Sequence, residues 1–394
     1  MASVKITADS GGGSTALAAP SSTTSNAALT WKLPVADGSA NQLLKTDGSG
    51  NLGWATNNRS HKNLIINGAM QVVQRNGGSV TADGYQTIDR WTLGSGGTDE
   101  GCTQKATSLG SSDTGPFEKG FRTAYQIKNG NQTSGAGAAD YIEIYQYIED
   151  QDICQSGWDY TSSSSKLTLS FWVKSSVAQK FYGFLYTNQA GAGDCKMYSY
   201  VIDNGSGGNL TADTWTKITH TIPGDSNLTF NVDNTNGLAV GIYPFQGTDY
   251  TTSGHSLNTW AAWSSSNKVP DMTSTWYTTN DAEFEITGVQ LEVGSVATPF
   301  SHRSYGDDLA KCQRYYQTVP DSVLSSGYGT DSGYSRGSHI YVQTMRTSPT
   351  LTITETSSGS VLAQATSKDG FYVTFNGLSE TGASLFNFIA SAEI

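Results

Sequence analysis

The segment EFEITGVQLEV, from Glu283 to Val293, constrains this chain more than any other. Phe284 and Ile286 fall on one face of an extended strand, with Glu283, Glu285 and Thr287 on the other. After Gly288 the apolar set moves to odd positions, Val289, Leu291 and Val293. A period of two argues for a strand. A one-residue change of phase inside it predicts a β-bulge at or beside Gly288, because a slip of one residue otherwise turns every side chain to the wrong face. The chain must therefore build a sheet with a buried face.

The rest of the sequence fits that demand. Glycine (44 residues), serine, threonine and asparagine are abundant, aromatics make up 11% and charged residues only 14%. Such a mixture of β-formers and turn-formers predicts an all-β protein, and 394 residues exceed one ordinary core. The net charge of −11 repels phosphate backbones and anionic headgroups, so no nucleic acid is expected as a partner. With no long apolar run and no charged-then-apolar leader, neither membrane insertion nor export by a signal peptide is expected. Cys102, Cys154, Cys195 and Cys312 lack zinc-site spacing and read as free thiols, with a Cys154–Cys195 bridge as the alternative.

Four regions emerge. Residues 1–58 form an extended arm rich in Gly, Ser and Thr that buries no core alone. Leu29, Trp31 and Leu33 alternate as one short strand, and two Asp-Gly turns, at Asp37 and Asp47, flank Leu43 and Leu44, with Trp54 beyond. So small a unit needs partners for its apolar side chains. These six residues are the candidates for attachment or for assembly around a threefold axis. Residues 59–303 read as a two-sheet jelly-roll sandwich. Its strands are Asn63–Val73, the Tyr141 segment, a period-two strand of Leu167, Leu169, Phe171 and Val173, then Phe181–Tyr186, Met197–Ile202, Trp215–Ile222, Leu228–Val232, Leu238–Tyr243 and Glu283–Val293. Residues 304–318 form a helical connector, with Ser304 as its cap and Asp307 and Asp308 at its positive end. Residues 319–394 form a small β domain with strands at His339–Met345, Thr350–Thr354, Ser360–Ala363, Phe371–Phe375 and Leu385–Ala390. Its size and its apolar end at Ile394 point to completion by symmetry mates.

Motif matches add little. GSGNLG (Gly48, Gly50, Gly53) fits a dinucleotide fingerprint in letters, but no helix follows it, so it reads as turns. GYSRG, centred on Ser335, lacks the strand–turn–helix setting of a nucleophile elbow, which leaves Ser335 with His339 a weak nucleophile and base. Glu143, Glu149, Asp150 and Asp152 cluster in sequence. They read as solvated acids, with structural calcium as the alternative and no other cofactor expected.

The stronger signal is aromatic. If Ile142, Ile144 and Ile148 face the core, Tyr141, Tyr145 and Tyr147 share the opposite face with Glu143. Trp172 likewise lies opposite Leu169, Phe171 and Val173. The loop after Tyr243 adds Trp260, Trp263 and Trp276. A sugar ring stacks its C–H groups on such rings while its hydroxyls pair laterally. Packing against a loop, a stem or another subunit is the alternative use of the same rings.

The stretch DAEFEITGVQLEVGSVATPFSHRSYGDDLAKCQRYYQ resembles a segment that recurs in phage tail-fibre and other virion appendage proteins. LTLSFWVKSS together with ITGVQLEVGSVATPF resembles the jelly-roll modules of phage fibres, which are similar to carbohydrate-binding modules. This likeness covers most of Asn63 to Arg303, and the arm resembles the N-terminal attachment segments of such fibres. The resemblance implies a non-enzymatic structural protein of the phage particle, made in the host cytoplasm. It would be a homotrimer, joined to other virion proteins through its arm and touching host surface polysaccharide through its β domains. A capsid-mounted or adaptor fibre of purely structural role, and a polysaccharide depolymerase, are the other readings. The second requires paired acids on a groove, and no β-helix period supports it.

Overall fold

The computed structural model describes residues 3–7, 14–18, 30–38, 42–56, 62–187, 195–325, 335–355, 360–376 and 384–394. The chain divides into two compact units, Met1–His61 and Lys62–Ile394. All named sheets are antiparallel, so the protein is all-β.

In the first unit, β1 (Ser3–Thr7) pairs with β2 (Ser14–Ala18), and β3 (Gln42–Thr46) pairs with β4 (Leu52–Thr56). The turn at Asp47 closes the second hairpin, its Oδ1 accepting from the Ser49 and Asn51 amides. GSGNLG is thus a hairpin turn. Trp31 and Leu33 form no strand; the segment meets the hairpin at a bridge from Lys32 to Asn51 and where Trp54 Nε1 donates to Ala36 O. Trp31, Leu33, Leu43, Leu44 and Trp54 are all exposed, and Leu29 lies outside the described residues.

The second unit opens with β5 (Thr92–Gly96), β6 (Thr103–Ser108), β7 (Thr123–Lys128) and β8 (Tyr141–Glu149), followed by the short α1 (Asp150–Cys154). Next come β9 (Lys166–Ser175), β10 (Phe181–Thr187), β11 (Lys196–Ile202), β12 (Thr216–Pro223), β13 (Asn236–Gln246) and β14 (Trp260–Ala262). Then follow α2 (Thr275–Thr278) and β15 (Glu283–Val293). They form two sheets, in the orders β14-β11-β10-β13-β8-β5 and β12-β9-β15-β7-β6. The chain passes repeatedly from one sheet to the other, as in a jelly roll. Ile142, Ile144, Leu167, Leu169, Phe171, Val173, Phe284, Ile286 and Leu291 meet in the core between them.

The expected bulge is present. Thr287 pairs with Trp172 but Gln290 with Ser170, one residue more on β15 than on β9, and Gly288 has φ +64°. Both faces of this strand are buried. Glu285 and Thr287, read from sequence as the outward set, are buried against the flanking strands: Glu285 is bonded to Gln126 and paired with Lys174, and Thr287 Oγ1 donates to Thr123 O.

The segment Asn63–Val73 is not a strand, contrary to its apolar pattern. It is a chain of turns with Asn67 and Met70 at positive φ. β7 pairs only with the first part of β15, and this segment serves the part after the bulge. Leu64 N donates to Leu291 O, Val289 N donates to Gly68 O, and Asn63 bonds both Val289 and Leu291. Its backbone pairing is irregular because β15 itself is irregular there. Leu228–Val232 is also no strand: Leu228 and Phe230 are buried from a loop, while Val232 is exposed.

Helix α3 (Tyr305–Gln313) is capped as expected, Ser304 Oγ accepting from Asp307 N at 3.1 Å. It ends earlier than its pattern implied, and Tyr316 already begins β16 (Tyr316–Ser325). β17 (Ser335–Ile340), β18 (Thr350–Glu355), β19 (Ser360–Thr366), β20 (Gly370–Asn376) and β21 (Ser384–Ser391) complete two three-stranded sheets, β16-β21-β18 and β17-β20-β19. Phe371, Val373, Phe375, Phe386 and Phe388 fill the space between them. Ser335 opens β17, so it stands on no elbow; Gly333 and Tyr334 lie outside the described residues. Ile394 O accepts from the Tyr85 hydroxyl, and Glu393 pairs with Arg75 and Arg90. Among the described residues no helix is long and apolar enough to cross a membrane.

Candidate functional site

β8 alternates as its sequence implies. Ile142, Ile144 and Ile148 enter the core, and Tyr141, Glu143, Tyr145 and Tyr147 are half-buried on the outer face of the six-stranded sheet. The neighbouring strands add rings to that face. β10 brings Tyr182, Phe184 and Tyr186, and β13 brings Tyr243. Small residues lie between the rows. Across the sheet Tyr145 is followed by Gly241 and then Phe184, and Tyr147 by Ala239 and then Tyr186. A Cβ at position 241 would collide with the Phe184 ring. Large side chains on the outer strands therefore lean over a central strand that offers none at these positions.

The rings form a connected surface. Tyr147 and Tyr186 share a hydroxyl–hydroxyl hydrogen bond of 2.7 Å. Tyr145 meets Tyr147 edge-on at 5.2 Å, and Phe184 stacks on Tyr243 at 4.3 Å. Burial pushes the Tyr145 and Tyr147 phenols above their ordinary range and Tyr186 up to about 12. All three hydroxyls are protonated at neutral pH, able both to donate and to accept.

At one side of the face stand two opposite charges. Lys268 Nζ lies 4.7 Å from the Tyr250 ring centroid, 5.6 Å from that of Tyr243 and 5.9 Å from that of Tyr141. Its distance to Glu143 Oε2 is 3.9 Å, an ion pair too long for a hydrogen bond. Burial raises the Glu143 carboxyl and lowers the Lys268 ammonium, so desolvation outweighs their mutual attraction. Neither side chain makes a hydrogen bond to any described residue. A half-buried carboxylate and ammonium beside aromatic faces are able to take lateral hydroxyls from a stacked ring.

The remaining rings scatter. Trp260 turns toward the core edge, its Nε1 donating to Pro223 O and its ring against Tyr198. Trp263 is exposed beyond β14, and Trp276 is fully buried. Trp172 belongs to the other sheet, half-buried on its outer side. Tyr182, Tyr186 and Lys268 were missed from sequence. Tyr182 and Tyr186 carried the same alternation signal as β8, whereas Lys268 arrives from a loop with no pattern.

The clustered acids separate. Glu143 is on the tyrosine face, Glu149 is fully buried against Arg314 and Tyr315, and Asp150 bonds Thr235. β8 ends at Glu149 and the chain turns into α1, which sends adjacent acids to different surroundings. Among the described residues no group of three or more His, Cys, Asp or Glu is placed to hold a metal ion. The four cysteines form no disulfide with one another.

No protein-family model and no curated protein matches this sequence. Among solved structures the chain is similar to a putative sugar binding protein from Bacteroides thetaiotaomicron, at 14% identity and TM-score 0.32, over 59% of this chain and 100% of that one. It is similar to the CBM22-1 xylan-binding domain of Paenibacillus barcinonensis Xyn10C at 12% identity and TM-score 0.25, over 57% and 99%. Discoidin II of Dictyostelium discoideum follows at 11% and 0.16, over 74% and 96%. Likeness at this level bears on neither ligand nor mechanism.

Proposed function

We propose that this chain is a non-catalytic appendage protein of a phage particle, a tail fibre that holds host-surface glycan on the tyrosine face of its jelly roll. The observation that carries the glycan reading is the pairing of half-buried tyrosines with the loosely matched Glu143 and Lys268. Stacking supplies contact area, and the polar groups orient the ring. The phage reading rests on the resemblance of residues 281–317 to tail-fibre segments. Single contacts of this kind are weak, and copy number multiplies them, by roughly 10² to 10⁴ for linked sites.

Trimeric assembly belongs to the same reading. Exposed Trp31, Leu33, Leu43, Leu44 and Trp54 in the arm ask for apolar partners. Two measurements test the proposal. A glycan array probed with the full chain should light on a restricted set of bacterial surface polysaccharides. Binding to none would remove the glycan claim, and shortening of a bound polysaccharide would replace a binding protein by a depolymerase. Sedimentation should give a trimer that is lost on deleting residues 1–58. A monomer at micromolar concentration would contradict the fibre and leave a stand-alone binding module.

A further inference from the structure

The opposite sheet carries a cleft of about 460 Å³, within the range of small-ligand sites. Its wall is aromatic: Trp172 from β9, with Phe121 and Phe300, whose rings meet edge-on at 4.8 Å. The β15 bulge is part of this lining through Gly288. Every charged or titratable lining residue is basic: Lys119, Lys217 and His302. That is unexpected in a chain of net charge −11. Neither lysine pairs with an acid among the described residues.

Glu118, beside Lys119, is exposed and lies outside the lining, and three other acids are engaged elsewhere. Glu292 takes both the amide and the hydroxyl of Thr298. Asp113 and Glu285 are paired with Lys174. Ser170 lines the cleft at only 4% exposure, and its hydroxyl takes no hydrogen bond from any described residue. His302 is oriented by a 2.8 Å hydrogen bond between Nε2 and Lys119 O.

We infer that this cleft is a second saccharide site, selective for a sugar ring bearing a carboxylate, such as a uronic or sialic acid residue. The ring stacks on Trp172, the carboxylate faces the lysines, and Ser170 takes a ring hydroxyl. The inference extends the glycan reading but rests on a separate set of residues on the other sheet.

The test is an NMR titration of the full chain, following tryptophan indole N–H signals, with glucuronate and N-acetylneuraminate against glucose and galactose. The acidic sugars should shift the Trp172 signal, assigned by Trp172→Phe, and neutral sugars should not. Lys217→Gln, an exposed change, should weaken acidic-sugar binding about tenfold, the scale of one charge-assisted contact, whereas Tyr145→Leu should leave it unchanged. Equal response to neutral and acidic sugars would overturn the selectivity. A response lost in Tyr145→Leu but kept in Lys217→Gln would assign the ligand to the tyrosine face and overturn the site. No response to any acidic sugar would overturn this inference while leaving the tyrosine face to its own test.

Discussion

Replacing Gly288 by alanine strikes the bulge at its least tolerant point. The residue sits at φ +64°, and an added Cβ would lie 2.6 Å from the Phe121 ring. A left-handed residue with a Cβ costs about 1–2 kcal/mol. Forcing a methyl against the buried Phe121 ring adds about 1–3 kcal/mol. Phe121 cannot retreat easily, since it is buried against Phe300 and His302. The expected loss is therefore about 2–5 kcal/mol. For Lys62–Ile394 unfolding as one unit, the unfolding entropy is roughly 0.7 kcal/mol/K. The thermal midpoint should then fall by about 3–7 °C. Differential scanning calorimetry of the variant measures it, with Gly254→Ala as control, because nothing lies within 4 Å of a Cβ there. A shift no larger than the control's would refute both the strain and the packing parts of the argument.

Two further outcomes follow from buried groups. Burial works to raise Glu149, but hydrogen bonds from Arg314, Tyr315 and Gln151 outweigh it and hold the carboxyl below its usual range. Its stabilising effect is present above the unfolded carboxylate value of about 4.3 and is lost as pH falls through the lower folded value. Glu149→Gln should cost about 3 kcal/mol at neutral pH and show a shallower stability loss in acid than the parent; parallel acid profiles would contradict the assignment. Burial also pushes the Cys102 thiol up to about 12 and raises Cys312 well above its ordinary range. A thiol reagent near pH 8 should leave both unmodified until denaturant is added, and rapid labelling of Cys102 in the folded protein would show that its core position is wrong.

Much of the fold was legible where one face of a strand is buried and the other is not. The alternation in β8 and β9 named the core residues, the change of phase at Gly288 named the bulge, and Ser304 named a helix start. Legibility failed where tertiary pairing replaced local pattern. Asn63–Val73 has a strand's composition, yet its hydrogen bonds go to an irregular stretch of β15, so turns at Asn67 and Met70 prevail. β5, β6 and β7 are short and rich in Thr, Gly and Gln, and no apolar run marks them. The candidate site was half visible for a related reason. Alternation tells that Tyr145 and Trp172 both face away from a core, but not that they face away on opposite sheets. Nor does it show that β10 lies across β13 from β8, or that Lys268 arrives from a loop.

The most direct test of the central claim is a calorimetric titration of the full chain with whichever glycan the array selects, comparing wild type, Tyr145→Leu and Glu143→Gln. A tyrosine-face site predicts a loss of about tenfold or more in each variant with near-parental melting. Unchanged affinity in both would contradict it.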